Sequence, residues 1–261
     1  VVAAATIASS PLSAKDWPQW RGEERLGLWT ETGLLEEFPD DGLTVKWRVP
    51  VNGGYSGPAV ADGRVFVLDY VETEARVMNG TERLLALDEE TGAMLWSHEW
   101  ATTYRMLMFT YATGPRATPT VDGERVYVTG STGLIFCLNV ETGAVIWQKD
   151  TVEEYDANIP VWGTSSAPLV DGDRVIFLVG GEPDALVMAF DKRTGEEVWR
   201  AIESRTEMGY HQPSIIEAGG VHQLIVWHPR GLSSLNPETG ALYWEEEFRG
   251  RANMTVADAV M

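Results

Sequence analysis

Four copies of one eleven-residue pattern recur along the chain, and such a repeat restricts the fold more than any bulk property does. Ala86-Leu87-Asp88 runs through Thr91-Gly92 to Trp96, and Cys137-Leu138-Asn139 through Thr142-Gly143 to Trp147. Ala189-Phe190-Asp191 runs through Thr194-Gly195 to Trp199, and Ser234-Leu235-Asn236 through Thr239-Gly240 to Trp244. In each copy a small residue stands first, Asp or Asn third, Thr-Gly sixth and seventh, and Trp eleventh. The tryptophans lie 51, 52 and 45 residues apart, and Trp47 precedes Trp96 by 49.

A second signal precedes each copy. Pro58 to Val67 alternates into Asp62-Gly63 and out again; Pro119 to Val128 does so around Asp122-Gly123, and Pro168 to Leu178 around Asp171-Gly172. Pro213 to Trp227 is a looser version around Gly219-Gly220. Asp-Gly between β-branched runs marks a hairpin, because the tight turn needs positive φ. The Asp/Asn-x-x-Thr-Gly loop marks a second hairpin, in which the side chain bonds backbone amides and Gly turns left-handed. Four short strands every 45 to 52 residues predict propeller blades. The expected class is all-β: a β-propeller of four-stranded antiparallel blades, partial or open. Blades are expected over 54–100, 114–150, 163–202 and 210–248, with a lone strand over 43–50 and the start of a fifth blade over 252–261. The expectation is a fragment or open arc of a six- to eight-bladed ring, with a closed four-bladed ring as the alternative.

A blade has two apolar faces and buries neither alone, so blades must stack. The chain's 11 tryptophans include the four at the repeat position, where a large flat ring suits the wedge between neighbours. Trp96, Trp147, Trp199 and Trp244, with Gly143, Gly195 and Gly240, therefore read as inter-blade docking residues. Ala-x-Asp-x-x-x-Gly-x-x-x-Trp resembles the tryptophan-docking motif of the pyrroloquinoline-quinone (PQQ) repeat family, within the quinoprotein alcohol dehydrogenase-like superfamily. Ala86, Asp88, Gly92 and Trp96 match it at every position, while the second and fourth copies carry Cys or Ser at the first position and Asn at the third. The opening Trp17-Pro18-Gln19-Trp20-Arg21-Gly22, followed by Glu31-Thr32-Gly33-Leu34-Leu35, resembles the start of exported bacterial PQQ-like repeat proteins. The resemblance covers residues 16–250 and specifies a fold more than an activity, since the repeat serves dehydrogenases, an outer-membrane-assembly lipoprotein and proteins of undefined role.

The resemblance also implies what a working quinoprotein would carry: a disulfide between neighbouring cysteines, a Ca²⁺ held by carboxylates and an amide, and an Asp base. Cys137 is the chain's one cysteine, so that disulfide cannot form, and no catalytic Asp motif can be assigned. Cys137 itself reads as a buried thiol. Gly54-Tyr55-Ser56-Gly57 is one residue short of a nucleophile elbow. There is no phosphate-binding glycine loop and no His-Glu-x-x-His. Asp171-Gly172-Asp173 reads as a hairpin turn, lacking the later ligands of a calcium loop. His98, His211, His222 and His228 are scattered; His222 and His228 share a strand face, but two imidazoles make a poor metal site. No metal ligands or catalytic residues are expected, and no cofactor except PQQ with Ca²⁺ under the dehydrogenase alternative.

The residues entering each innermost strand are more suggestive. Gly54-Tyr55-Ser56, Arg116-Ala117-Thr118, Trp162-Gly163-Thr164-Ser165 and Tyr210-His211-Gln212 occupy equivalent places, and propellers bind ligands at channel mouths. Tyr55, Arg116, Trp162, Ser165, Tyr210 and His211 are the candidate ligand-binding residues, Arg116 foremost as a cation within an acidic chain.

Twenty basic against 39 acidic residues give a net charge of −19, a field that repels phosphate backbones and argues against a nucleic-acid partner. Val1 to Ala14 resembles the apolar end and small-residue cleavage zone of a signal peptide, so residues 1–15 read as its remnant or a disordered arm. The expected location is exported, in the periplasm or cell envelope. No stretch approaches the ~18 apolar residues of a membrane span. The functional expectation is a non-catalytic scaffold that binds a protein or small ligand at the central channel. The alternative is a PQQ-dependent oxidoreductase or a fragment of one. A sugar-binding module conflicts with tryptophans committed to docking.

Overall fold

The computed structural model describes residues 14–73, 78–108, 113–203, 207–251 and 254–256. Sixteen strands form four antiparallel sheets of four, each a meander in chain order. Blade 1 is β1 (Ala59–Ala61), β2 (Arg64–Glu72), β3 (Asn79–Asp88) and β4 (Met94–Thr103). Blade 2 is β5 (Thr120–Asp122), β6 (Arg125–Thr129), β7 (Leu134–Asn139) and β8 (Val145–Asp150). Blade 3 is β9 (Leu169–Asp171), β10 (Arg174–Gly181), β11 (Ala185–Asp191) and β12 (Glu197–Ala201). Blade 4 is β13 (Ser214–Ala218), β14 (Val221–His228), β15 (Gly231–Leu235) and β16 (Leu242–Glu246). One helical turn, α1 (Thr151–Tyr155), follows β8 and is capped by Asp150, which accepts from the Val152 and Glu153 amides.

Middle strands bury both faces, so they read as unbroken apolar runs. In β6, Val126 and Val128 join Phe66, Leu84, Phe136 and Leu138 between blades 1 and 2. Tyr127, one residue away, points to the other side and joins Ile135, Val175, Phe177 and Phe190 between blades 2 and 3. Ile176 and Leu178 face a third core with Leu224 and Val226 of blade 4. Among the described residues three cores thus lie between four blades, and the sheets form an arc that does not close.

The repeat explains the stacking residue by residue. Asp88 Oδ1 accepts from Thr91 N at 2.8 Å and Thr91 Oγ1 at 2.7 Å, and Asn139 Oδ1 accepts from the same two groups of Thr142, both at 2.9 Å. Only an acceptor oxygen is used, so Asp and Asn are interchangeable. The first motif residue pairs across the ladder with the tryptophan: Ala86 with Trp96, Cys137 with Trp147, Ala189 with Trp199 and Ser234 with Trp244. A small side chain there leaves room for the ring.

Each indole reaches forward to the following blade. A Cβ on Gly143 would lie 2.5 Å from the Trp96 ring, one on Gly195 2.7 Å from Trp147, and one on Gly240 2.8 Å from Trp199. The indole N–H groups of Trp96, Trp147 and Trp199 donate to the carbonyls of Val140, Lys192 and Pro237, at 3.1, 3.3 and 3.0 Å. Each acceptor is the residue just after the motif's Asp or Asn. Trp47 obeys the same rule toward Gly92 and the Glu89 carbonyl. Residues 43–50, expected as a lone strand, carry no ladder, because a strand needs a hydrogen-bonding partner and among the described residues nothing pairs with them. Trp244 instead donates to Gln223 Oε1 of its own blade, and its ring is 39% exposed. Of residues 252–261 only 254–256 are described, and residues 1–13 lie outside the described residues.

His222 and His228, at the two ends of β14, do not act together. His222 lies between Asp171 Oδ1 (3.0 Å) and Glu217 Oε1 (2.5 Å), and the bond to Asp171 leads in raising its pKa above 6.5. His228 is fully buried, and burial, with Arg230 and His211 nearby, pushes it down to about 4 although Glu245 Oε1 lies 3.5 Å away.

Trp147→Ala should destabilise the chain by about 3–5 kcal/mol in urea unfolding, because a buried aromatic is lost. Gly195→Ala should couple to it by about 0.5–3 kcal/mol in a double-mutant cycle, since the clash vanishes with the ring; zero coupling would mean the ring does not rest on that glycine. In proton NMR titration, His222 should titrate above 6.5 and His228 well below it. His222's contribution to stability is full below the unfolded value and fades as pH rises through its folded value. His228's is full above pH 6.5 and fades as pH falls toward about 4. A His228→Gln variant should therefore show a flatter acid limb of the stability curve.

Candidate functional site at the channel mouth

The short innermost strands β1, β5, β9 and β13 are each preceded by an irregular segment that carries the expected channel residues. Four of those residues meet in one chain of contacts, one from each blade. The Tyr55 amide donates to the Pro115 carbonyl at 2.8 Å, and the neighbouring Arg116 guanidinium lies 5.2 Å from the centre of the Tyr55 ring. Arg116 Nε donates to the Trp162 carbonyl at 2.7 Å, and the Trp162 amide donates to the Tyr210 hydroxyl at 3.3 Å. Tyr55 is 58% exposed, Arg116 and Trp162 are half-buried, and Tyr210 is buried. Burial pushes the Tyr210 hydroxyl up to about 12, so it stays a neutral donor and acceptor at physiological pH. The Tyr210 amide in turn donates to the carbonyl of buried Thr255.

Ser165 and His211 stand apart from that chain. The Ser165 carbonyl accepts from Gln212 Nε2 at 2.9 Å, while Gln212 Oε1 accepts from Ala167 N at 2.7 Å, so Gln212 ties blade 4 to blade 3. His211 is fully buried, with Nε2 3.4 Å from the Ile225 carbonyl of its own blade. Its neighbour Tyr210 faces the mouth instead, as adjacent residues in extended chain point to opposite sides.

Sequence reasoning missed two features. Glu82, fully buried in β3, accepts from Trp100 Nε1 (2.9 Å), the Tyr104 hydroxyl (2.5 Å) and the Ser131 amide (3.2 Å), joining blade 1 to blade 2. Burial raises its pKa against those hydrogen bonds. Glu82 lies in the polar stretch Asn79–Arg83 ahead of the apolar run of β3, so no local signal marked it. The second feature is the N-terminal segment. A cavity of about 770 Å³ lies along it rather than at the mouth, lined by Trp17, Trp20, Arg21 and Trp29 with Gly57 and Val60 of blade 1. The Trp-Pro-Gln-Trp-Arg-Gly motif pointed there, but gave no placement. Cys137 is buried, and burial pushes its thiol up to about 12, which makes it unreactive. Among the described residues, no three His, Cys, Asp or Glu side chains converge on a point that could hold a metal ion, and no helix is long and apolar enough to cross a membrane.

Comparison with known proteins agrees with this architecture. The quinoprotein alcohol dehydrogenase PedH of Pseudomonas putida is 29% identical over 147 residues, covering 50% of this chain and 22% of that protein. An uncharacterized protein of Rickettsia prowazekii, RP232, is 28% identical over 170 residues, covering 61% of this chain and 36% of its own length. The chain thus spans about a third or less of these curated relatives. Among solved structures, the quinohemoprotein alcohol dehydrogenase of Comamonas testosteroni superposes with a TM-score of 0.64 at 18% identity, over 89% of this chain and 41% of that one. That likeness is one of fold. A family model described as outer membrane protein assembly factor BamB matches residues 39–109 and 80–261. With four Trp-to-Gly stacked blades and a family match over most of its length, the chain belongs to this PQQ-repeat propeller family.

Proposed function

We propose that the chain is an exported, non-catalytic propeller scaffold that binds a protein segment or small ligand at the mouth formed by Tyr55, Arg116, Trp162 and Tyr210. The observation that carries this reading is the contact chain itself: residues entering four blades are linked in succession, from the Tyr55 ring to Arg116, through the Trp162 backbone, to the Tyr210 hydroxyl. The repeat tryptophans serve packing between blades in this reading, so the mouth is where chemistry differs from one blade to the next. A cation set 5.2 Å from the centre of the Tyr55 ring suits a planar or anionic group. The net charge of −19 supports a partner other than nucleic acid. Export is supported by the apolar, small-residue N-terminus and by a family description that names the outer membrane.

The dehydrogenase alternative draws on the relatives that bear that name. Holding PQQ with Ca²⁺ would require a carboxylate cluster for the ion, and the described residues offer no converging set. The mouth presents Arg116 where a cation would need negative charge, and Cys137 is enclosed between blades. The residues present do not fit the group.

Titration with PQQ and Ca²⁺ should leave the quinone spectrum unchanged and give no dye reduction with ethanol. Affinity capture from periplasmic extract should retain one partner in fixed ratio, and Arg116→Ala should lose it while keeping the wild-type melting temperature. Saturable PQQ binding with Ca²⁺-dependent dye reduction would overturn the scaffold reading. So would capture that ignores Arg116→Ala and Tyr210→Ala alike.

A further inference from the structure

Residues 16–27 run along the inner edge of the arc and touch every blade. Trp17 and Val60 exchange backbone hydrogen bonds of 2.8 and 2.9 Å on the free edge of β1. The Val121 amide of β5 donates to the Pro18 carbonyl at 2.8 Å. Arg25 then spans blades 3 and 4. Its guanidinium donates to the carbonyls of Ala167 (3.4 Å) and Pro168 before β9 and of Pro213 (3.0 Å) before β13, while its Nε is held by Gln19 Oε1 at 2.9 Å. Arg25 is only 6% exposed. A cation is rarely buried this far without a purpose for its donors.

The segment's backbone is bent to make these contacts. Arg21 and Arg25 have φ of 61° and 55°, in the left-handed region that side chains avoid. Gly22, at φ 82°, sits where a Cβ would be 3.1 Å from the Trp17 ring. Strain of this kind persists where surrounding bonds over-determine it, and it collects at functional sites.

The four anchored points are the roots of the mouth. Val60 lies five residues after Tyr55, and Val121 five after Arg116. Ala167 lies five residues after Trp162, and Pro213 three after Tyr210. We propose that this segment is an internal strap, and that Arg25 is the positioning residue that sets the spacing of Trp162 and Tyr210 against Arg116 and Tyr55. The strap fixes each mouth residue from behind, through the backbone of the strand it enters. It also covers the inner edges of β1 and β5, which would otherwise pair with another extended chain. The mouth then remains the accessible end of the channel. This inference deepens the ligand-binding reading and rests on it for its purpose, but the geometry can be tested with no ligand present.

The experiment compares the full chain with Arg25→Ala and Arg25→Lys by ¹⁵N NMR and amide exchange. Arg25→Ala should speed exchange of the Val60 and Val121 amides by about ten-fold or more, as local opening predicts. The outer-rim amides of Asn139 and Asp191, bonded within their own turns, should keep their protection. The Arg116 Nε–H signal, held in the wild type by the Trp162 carbonyl, should shift or broaden. Lysine keeps the charge but loses the planar fork and the Nε–H that Gln19 holds, so Arg25→Lys should fall between the two in both readouts. Faster exchange at Val60 and Val121 with an unchanged Arg116 signal would overturn the positioning role, and unchanged exchange there would overturn the strap. If Arg25→Ala unfolds, the lysine variant decides between the same outcomes. A chain that fails to bind any ligand but shows these shifts would refute the function and leave the strap standing.

Discussion

An indole laid flat on a glycine is the contact on which the rest of this structure depends. Trp47, Trp96, Trp147 and Trp199 each cross from one blade, or the approach to it, to the glycine of the next. Each N–H then finds a carbonyl one residue past the turn's Asp or Asn. The ring supplies apolar area, its donor is satisfied without a polar side chain, and the glycine lets two backbones approach. The distance from turn to ring fixes the spacing of adjacent blades, so the burial of both faces of the middle strands follows from it.

Much of this was legible in the sequence because each constraint is local. A left-handed glycine, an acceptor oxygen two to three residues before the amides it receives, and a small residue facing a large one leave fixed spacings in any chain. Of the candidate site, the placement at the entrances to the innermost strands was readable, because equivalent positions in successive repeats are brought to equivalent places. That Tyr55, Arg116, Trp162 and Tyr210 are linked by contacts, and that His211 is fully buried in its own blade, was not in the spacing. What was not legible depends on contacts far apart in the chain. Glu82 is an ordinary acidic residue until Trp100, Tyr104 and Ser131 surround it. Arg25 looks like a surface charge until its partners, more than 140 residues away, are in place. Residues 43–50 have strand-like composition, yet no local feature could say what would pair with them.

The two edges of each blade are managed differently. On the outer rim, ring-on-glycine contacts leave the backbone to its own sheet. On the inner rim, the first strand of each blade is only three residues long in three of the four, and its free edge is open to pairing. The N-terminal segment meets that need with main-chain bonds to β1 and β5 and with one side chain to the approaches of β9 and β13. The mouth is therefore held from two directions, by stacking outside and by strapping inside. That arrangement fixes the spacing of the linked residues whether they are exposed, as Tyr55 is, or buried, as Tyr210 is.

The forward reach of each tryptophan has a consequence for descent. The segment of gene that encodes a blade is not the unit that packs: it carries a ring for the blade after it and a glycine for the ring before it. Duplicating or excising one such segment leaves each ring that rests on a glycine still resting on one, because the ends of the copied stretch match the ends it joins. Blade number can therefore change by whole steps without a compensating mutation elsewhere, and lineages sharing this contact are free to build arcs and rings of different size from the same piece.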